Sequence, residues 1–169
     1  NRGRVEALFR MWATEDAILI YIEGSVAERI RSILDQYIIM DDCVIEDISA
    51  DHAAVSVMGE KCDEVLSSAG FSNLPAPDLD GDLVQDGPQL FIRDRSFGAW
   101  GEEIHCAAAD LEPLENRLRG AGAFEVSPEA LEIARVESGV LRNSKDLDED
   151  TIPMEARLEF AINFEKGCY

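Results

Sequence analysis

Four residues toward the C-terminal end have the types and spacing to do chemistry: Arg135, Glu137, Lys166 and Cys168. A carboxylate such as Glu137 can accept hydrogen bonds from two adjacent N–H donors, as on an aminopyrimidine ring. Its position asks for some such reason, because it falls in the last turn of a helix, before Gly139, where the helix dipole favours cations. The plainer account is a surface Glu paired with Arg135 or Arg142, and composition favours it. Cys168 follows Lys166-Gly167. A neighbouring ammonium favours the thiolate, the reactive form of a cysteine. Gly167 lets the backbone approach closely or take φ > 0, although Lys-Gly is also an ordinary turn.

Other polar groups carry less. Asp146-Leu147-Asp148-Glu149-Asp150 reads as a solvated acidic loop, since loop carboxylates without a matching His or Asn set are weak metal ligands. Pro153-Met154-Glu155 precedes an expected helix over Ala156–Ala161 that Glu155 caps or begins. His52 and His105 stand isolated in strand contexts, and no Ser/His/Asp or Cys/His set assembles around them. The Asp-rich stretch from Asp78 has Gln89 where a calcium loop needs Glu, so calcium is rejected there. Cys43, Cys62, Cys106 and Cys168 form no C-x-x-C pair, and no metal site is expected. Cys43, Cys62 and Cys106 read as small buried hydrophobes.

Composition sets the outer limits. The 169 residues fit one domain with a real core, and 46% apolar content makes the chain globular. The net charge of −20 argues against coating nucleic acid and against an anionic membrane surface. Arg2, Arg4, Arg10, Arg135, Arg142, Lys145 and Lys166 nevertheless lie toward the two ends, which points to a site for an anionic small molecule. No run is apolar and long enough to span a bilayer, and the start carries no signal-peptide pattern. A reduced, intracellular setting is expected, cytoplasmic or, in a eukaryote, the mitochondrial matrix. The chain opens on Asn1 and stops at Tyr169, as a piece of a longer one would.

The elements that must hold these residues follow from periodicity. Val5–Trp12 and the Ile-rich run Ala17–Ile22, read as a buried strand, form a hairpin about Thr14-Glu15-Asp16. Ser25 with Glu28 makes a capping box for a helix whose stripe is Val26, Ile30, Ile33, Leu34 and Tyr37. Strands are expected at Cys43–Ile48 and Ala53–Met58, then a short helix with Cys62, Val65, Leu66 and Ala69 that ends at Gly70. Residues 1–70 thus form a β-β-α-β-β-α unit. Residues 71–89 form an exposed Pro/Asp/Gly connection. Residues 90–169 form a second α+β part, with strands at Leu90–Arg93 and Glu103–Ala107 and a helix capped by Asp110. Ser127-Pro128-Glu129 starts another helix. The fold class is α+β, with antiparallel sheets and helices on one face.

In order along the chain, Arg135-x-Glu137-x-Gly139, Asp146/Asp148, Pro153-x-Glu155 and Phe164-x-Lys166-Gly167-Cys168-Tyr169 resemble the YgfZ-type tetrahydrofolate-binding proteins. These are relatives of the aminomethyltransferase (T-protein) of glycine cleavage. Gly3-Arg4-Val5 resembles the family's G-R segment. The resemblance implies ferredoxin-like β-β-α units and a tetrahydrofolate site in which Glu137 grips the pterin, flanked by Arg135 and Lys166. It implies Cys168 as the functional thiol and iron–sulfur client or assembly proteins as partners. The implied role is iron–sulfur cluster assembly or repair. The alternatives are a folate-dependent aminomethyltransferase or demethylase, and a non-catalytic interaction domain. One departure bears on the enzyme: where aminomethyltransferases carry Asp-Asp, this chain has Glu6-Ala7-Leu8-Phe9. Ala-Leu cannot act as acid or base, and Glu6, one position off in a strand, would point to the other face.

Overall fold

The computed structural model describes residues 3–40, 42–76, 81–94 and 100–165. The chain divides into two units, one made of Asn1–Ile45 and Leu141–Tyr169, the other of Glu46–Val140. Each holds an antiparallel sheet, and the α+β class read from the sequence is the class observed. Among the described residues no helix is long and apolar enough to cross a membrane.

Unit 1 begins with an extended segment, then a hairpin of β1 (Arg10–Ala13) and β2 (Ile18–Tyr21). Arg10 pairs with Tyr21 and Ala13 with Ile18. Thr14 closes the turn on Ala17 through both its backbone N–H and its hydroxyl. The second strand is not buried as its Ile content suggested: Ile18 is 68% exposed, and Ile20 and Tyr21 are exposed too. A cross-strand contact supports it instead: the Arg10 guanidinium lies 5.0 Å from the Tyr21 ring, and 5.1 Å from the ring of Trp12 on its own strand.

Helix α1 spans Gly24–Asp35 and buries Val26 and Ile30, four residues apart on one face. Tyr37, expected at the end of that stripe, lies past the helix and is exposed. The capping box does not form. Glu23 is the N-cap residue, without a side-chain cap bond, and Glu28 pairs with Arg31. Val5, Leu147 and Leu158 complete the core of unit 1, packed with Leu8, Leu141 and Ala156. No helix forms over 156–161. Arg157 takes φ 54°, Leu158 N–H reaches back to Pro153 O, and only a 3-10 turn at Glu159–Ala161 follows.

Unit 2 is a four-stranded sheet of order β3-β6-β5-β4, formed by β3 (His52–Met58), β4 (Leu83–Asp86), β5 (Gln89–Asp94) and β6 (Gly101–Ala107). The chain runs from β3 through α2 (Cys62–Ser68) to the far edge, returns through β5 and β6, and continues into α3 (Leu111–Gly120). Alternate residues Val57, Phe91, Ile104 and Cys106 face Cys62 and Leu66 of α2 and Leu114 and Leu118 of α3, so both helices cover one face. Two departures concern strands. Residues 43–48 join no ladder: Val44 is 79% exposed, Cys43 is exposed rather than buried, and Asp47 turns its carboxylate onto Ser49 N–H, a local bond that competes with pairing. Conversely, the stretch 71–89 contains β4, joined to β5 by the two-residue loop Gly87-Pro88, with Gly87 at φ 61°. Asp110 precedes α3 but makes no side-chain cap bond, because a 3-10 turn at Ala108–Asp110 leads into the helix.

Helix α4 (Pro128–Glu137) starts as its sequence dictates, with Ser127 Oγ accepting Ala130 N–H at 3.2 Å and Pro128 in the first turn. It ends in a Schellman turn. Val140 N–H bonds Arg135 O, Gly139 N–H bonds Val136 O, and Gly139 sits at φ 70°.

Candidate functional site

Unit 1 contains a cavity of about 510 Å³ lined by two stretches far apart in sequence. Val5, Glu6, Ser25, Val26 and Arg29 come from the N-terminal side, and residues 143–144 and 147–150 from the loop after Leu141. The loop is shaped by its own side chains. Asp146 Oδ2 accepts Arg142 N–H at 2.8 Å, Ser144 N–H bonds Leu147 O, and Ser144 takes φ 61°. Asp148 Oδ1 accepts the Thr151 hydroxyl at 2.8 Å and Asp150 N–H at 3.0 Å, and these bonds hold its carboxyl below the usual range. The two carboxylates singled out in the sequence therefore cap turns of the loop.

Asn143 joins the two stretches. It is only 5% exposed. Its Oδ1 accepts Leu8 N–H and its Nδ2 donates to Leu8 O, both at 2.8 Å. Its own N–H is taken by Glu23 Oε1 at 2.9 Å. The amide thus reads the backbone of Leu8 as a neighbouring strand would, and it fixes the segment that carries Glu6. Because residues 5–9 join no ladder, strand parity does not orient Glu6, and Glu6 lines the cavity. Arg29 holds it at 2.7 Å and also lies 3.5 Å from Glu149. The residues lining the cavity include the acidic Glu6, Asp148, Glu149 and Asp150 and the basic Arg29.

In unit 2, Arg135 and Glu137 share the last turn of α4 but have different surroundings. Arg135 is 7% exposed and grips Glu132 with two bonds of 3.0 and 2.8 Å. Its third nitrogen donates to Val140 O at 2.5 Å, across the Schellman turn. Glu137 is exposed. Arg135 pairs with Glu132, and Arg142 lies 3.5 Å from Glu23. Lys166 and Cys168 lie outside the described residues.

Two constellations in unit 2 escaped sequence reasoning. On the sheet face away from α2 and α3, His105 Nε2 lies 2.6 Å from Glu103 Oε1, and its Nδ1 lies 3.3 Å from His52 Nε2. The histidines are thus partners across β3 and β6, not isolated. Burial, and next the charge of His105, lower the pKa of His52. On the helix-covered face, Arg93 and Glu102 are both buried, with Arg93 Nε 2.8 Å from Glu102 Oε1 and Arg93 Nη1 3.0 Å from Asp63. The alternation of polar residues within Gly101–Ala107 was the available signal for both. It becomes informative only once that strand is known to be central. Among the described residues no group of three His, Cys, Asp or Glu side chains is arranged to hold a metal ion.

This antiparallel α+β chain, with its ordered loop after the Schellman turn, belongs to the GCVT N-terminal domain family, which it matches across residues 2–166. It is 24% identical over 170 residues to an aminomethyltransferase of Herpetosiphon aurantiacus, an alignment covering 99% of this chain and 47% of the relative. It is 27% identical over 174 residues to aminomethyltransferases of Bacillus cereus and Bacillus anthracis, covering 98% of this chain and 47% of each relative. The chain spans about half the length of these curated relatives.

Proposed function

We propose that this chain is a tetrahydrofolate-binding part of a protein that assists iron–sulfur cluster assembly or repair, with Glu137 gripping the pterin ring and Cys168 as a functional thiol. The observation that carries the reading is the family match over nearly the whole chain. Glu137 supports it, because its carboxylate is exposed at the end of a rigidly capped helix and is free to take two adjacent N–H donors. Arg135 acts here by holding the turn beside Glu137, and Lys166 supplies positive charge toward the anionic end of the folate. The YgfZ-like ending Lys166-Gly167-Cys168-Tyr169 favours the iron–sulfur branch.

The test is calorimetric titration of the chain with a stable reduced folate. Binding in the micromolar range is expected, about −8 kcal/mol, with at least a tenfold loss in Glu137→Ala. Absence of binding by the wild type overturns the reading and leaves an interaction domain on a shared fold. One observation favours a second reading, folate-dependent aminomethyl transfer or demethylation: Glu6 lines the unit 1 cavity, beside Arg29. That reading requires formaldehyde or methylene-tetrahydrofolate to form from an aminomethyl donor, with the product lost in Glu6→Gln.

A further inference from the structure

Glu102 is 0% exposed, and neither of its carboxylate oxygens meets a donor in hydrogen-bonding geometry. Its counter-charge, Arg93, is 97% withdrawn from water by the same measure, at 3% exposure. Arg93 Nε stands 2.8 Å from Glu102 Oε1, an ion-pair distance, but it is misaligned for a hydrogen bond. The other end of the guanidinium is better served: Nη1 bonds Asp63 Oδ1 of α2 at 3.0 Å, and Nη2 bonds Pro75 O at 3.2 Å. One buried cation therefore stands between an exposed carboxylate that satisfies it and a buried carboxylate that does not. A buried charge without full hydrogen bonding is the arrangement that a proton relieves most.

We propose that Glu102 is a proton-operated latch that sets how firmly Arg93 ties α2 and the segment at Pro75 to the sheet. With the proton on, Glu102 is neutral and Arg93 is committed to Asp63 and Pro75. With the proton off, Glu102 competes for the guanidinium from inside the core. Charged groups from three elements surround it among the described residues. Arg93 and Asp94 come from β5, Asp63 from the first turn of α2, and Asp82 from the approach to β4. Cys62 is also near, its thiol pushed up to about 11 by burial first and then by Glu102. Burial raises the Glu102 pKa from 4.5 to about 7, against the pull of Arg93 and with help from the three Asp carboxylates. A proton is thus bound more tightly in the folded than in the unfolded chain. The stabilisation is complete below about 4.5 and is lost as pH rises through about 7. This slope is opposite to that of a carboxylate in a well-made ion pair, and it falls in the neutral range.

The experiment follows the carboxyl carbon of Glu102 by NMR through a pH titration, together with urea unfolding at pH 5 and pH 8. The expected midpoint for Glu102 is near neutrality, and the folding constant of the wild type falls on the order of a hundredfold from pH 5 to pH 8. Glu102→Gln, permanently neutral, should remove most of that fall. Asp63→Asn alters an exposed residue and removes the competing negative charge while keeping an acceptor oxygen, so the Glu102 midpoint should move to lower pH. A wild-type midpoint below 5, or a Glu102→Gln protein with the same pH slope as wild type, overturns the proposal.

Discussion

Phe91→Ala should cost unit 2 about 3–5 kcal/mol, enough to leave most single domains only marginally folded. Phe91 is fully buried on β5, opposite Ile104 of β6 and Val84 of β4. Its ring meets Phe71 edge-on, with centroids 5.0 Å apart at 65°, a geometry that adds to simple area burial. Both helices that cover the sheet reach the same cluster through Leu66 and Leu114. Strands β4, β5 and β6 cannot close around the hole without breaking their ladder, so the cavity term stays high. Urea unfolding read at Trp100, in a Trp12→Phe background, isolates this unit. Phe91→Leu keeps most of the volume and should lose under about 1.5 kcal/mol. A loss below about 1 kcal/mol in the Ala variant would mean that the cluster around Phe91 is not the stabilising core of unit 2.

How far such features could be read from the sequence depended on distance along the chain. Helix α4 was legible at both ends because its signals are local: Ser127 caps Ala130 three residues on, and Gly139 closes the turn begun at Arg135. The β1–β2 turn was legible for the same reason, with Thr14 and Ala17 bonded within four residues. Where local rules failed, a competing bond is visible. Glu23 and Glu28 spend their carboxylates on Asn143 and Arg31, so the capping box at Ser25 never forms. Arg157 takes a left-handed φ and stops the expected helix, and Asp47 captures Ser49 instead of leaving a strand to pair.

The candidate site was legible only in part. Glu137 stood out because a carboxylate at a helix C-terminus opposes the dipole, while Arg135 in the same turn pairs with Glu132. The pair His52 and His105 lie 53 positions apart and meet only because β3 pairs with β6 rather than with a strand at 43–48. The setting of Glu6 was not legible because residues 5–9, though alternating in sequence, are held by a side chain instead of a ladder. Non-local pairing decided each of these, and a single sequence carries no direct signal for it.

The second large effect concerns that side chain. Asn143→Leu should destabilise unit 1 by about 2–4 kcal/mol, because both backbone groups of Leu8 lose a buried partner and each carries its own desolvation cost. The two bonds span 135 positions, so no local turn replaces them. Hydrogen exchange at the Leu8 amide should accelerate together with the drop in urea midpoint. Asn143→Asp is the sharper variant. It keeps an acceptor for Leu8 N–H but sets a carboxylate oxygen against Leu8 O, where Nδ2 donated. It should therefore recover little of what Leu loses, even though its shape is preserved. Wild-type stability and unchanged Leu8 exchange in the Leu variant would remove Asn143 as the clamp. The expected loss also bears on the cavity, since Glu6 lies two residues before Leu8 and reaches Arg29 from the clamped segment. An Asn that spends one N–H and one oxygen lone pair of its amide on the Leu8 backbone acts first by positioning the segment that carries Glu6. Any effect of Asn143 variants on ligand affinity should therefore track the Leu8 exchange rate rather than the chemistry of the ligand.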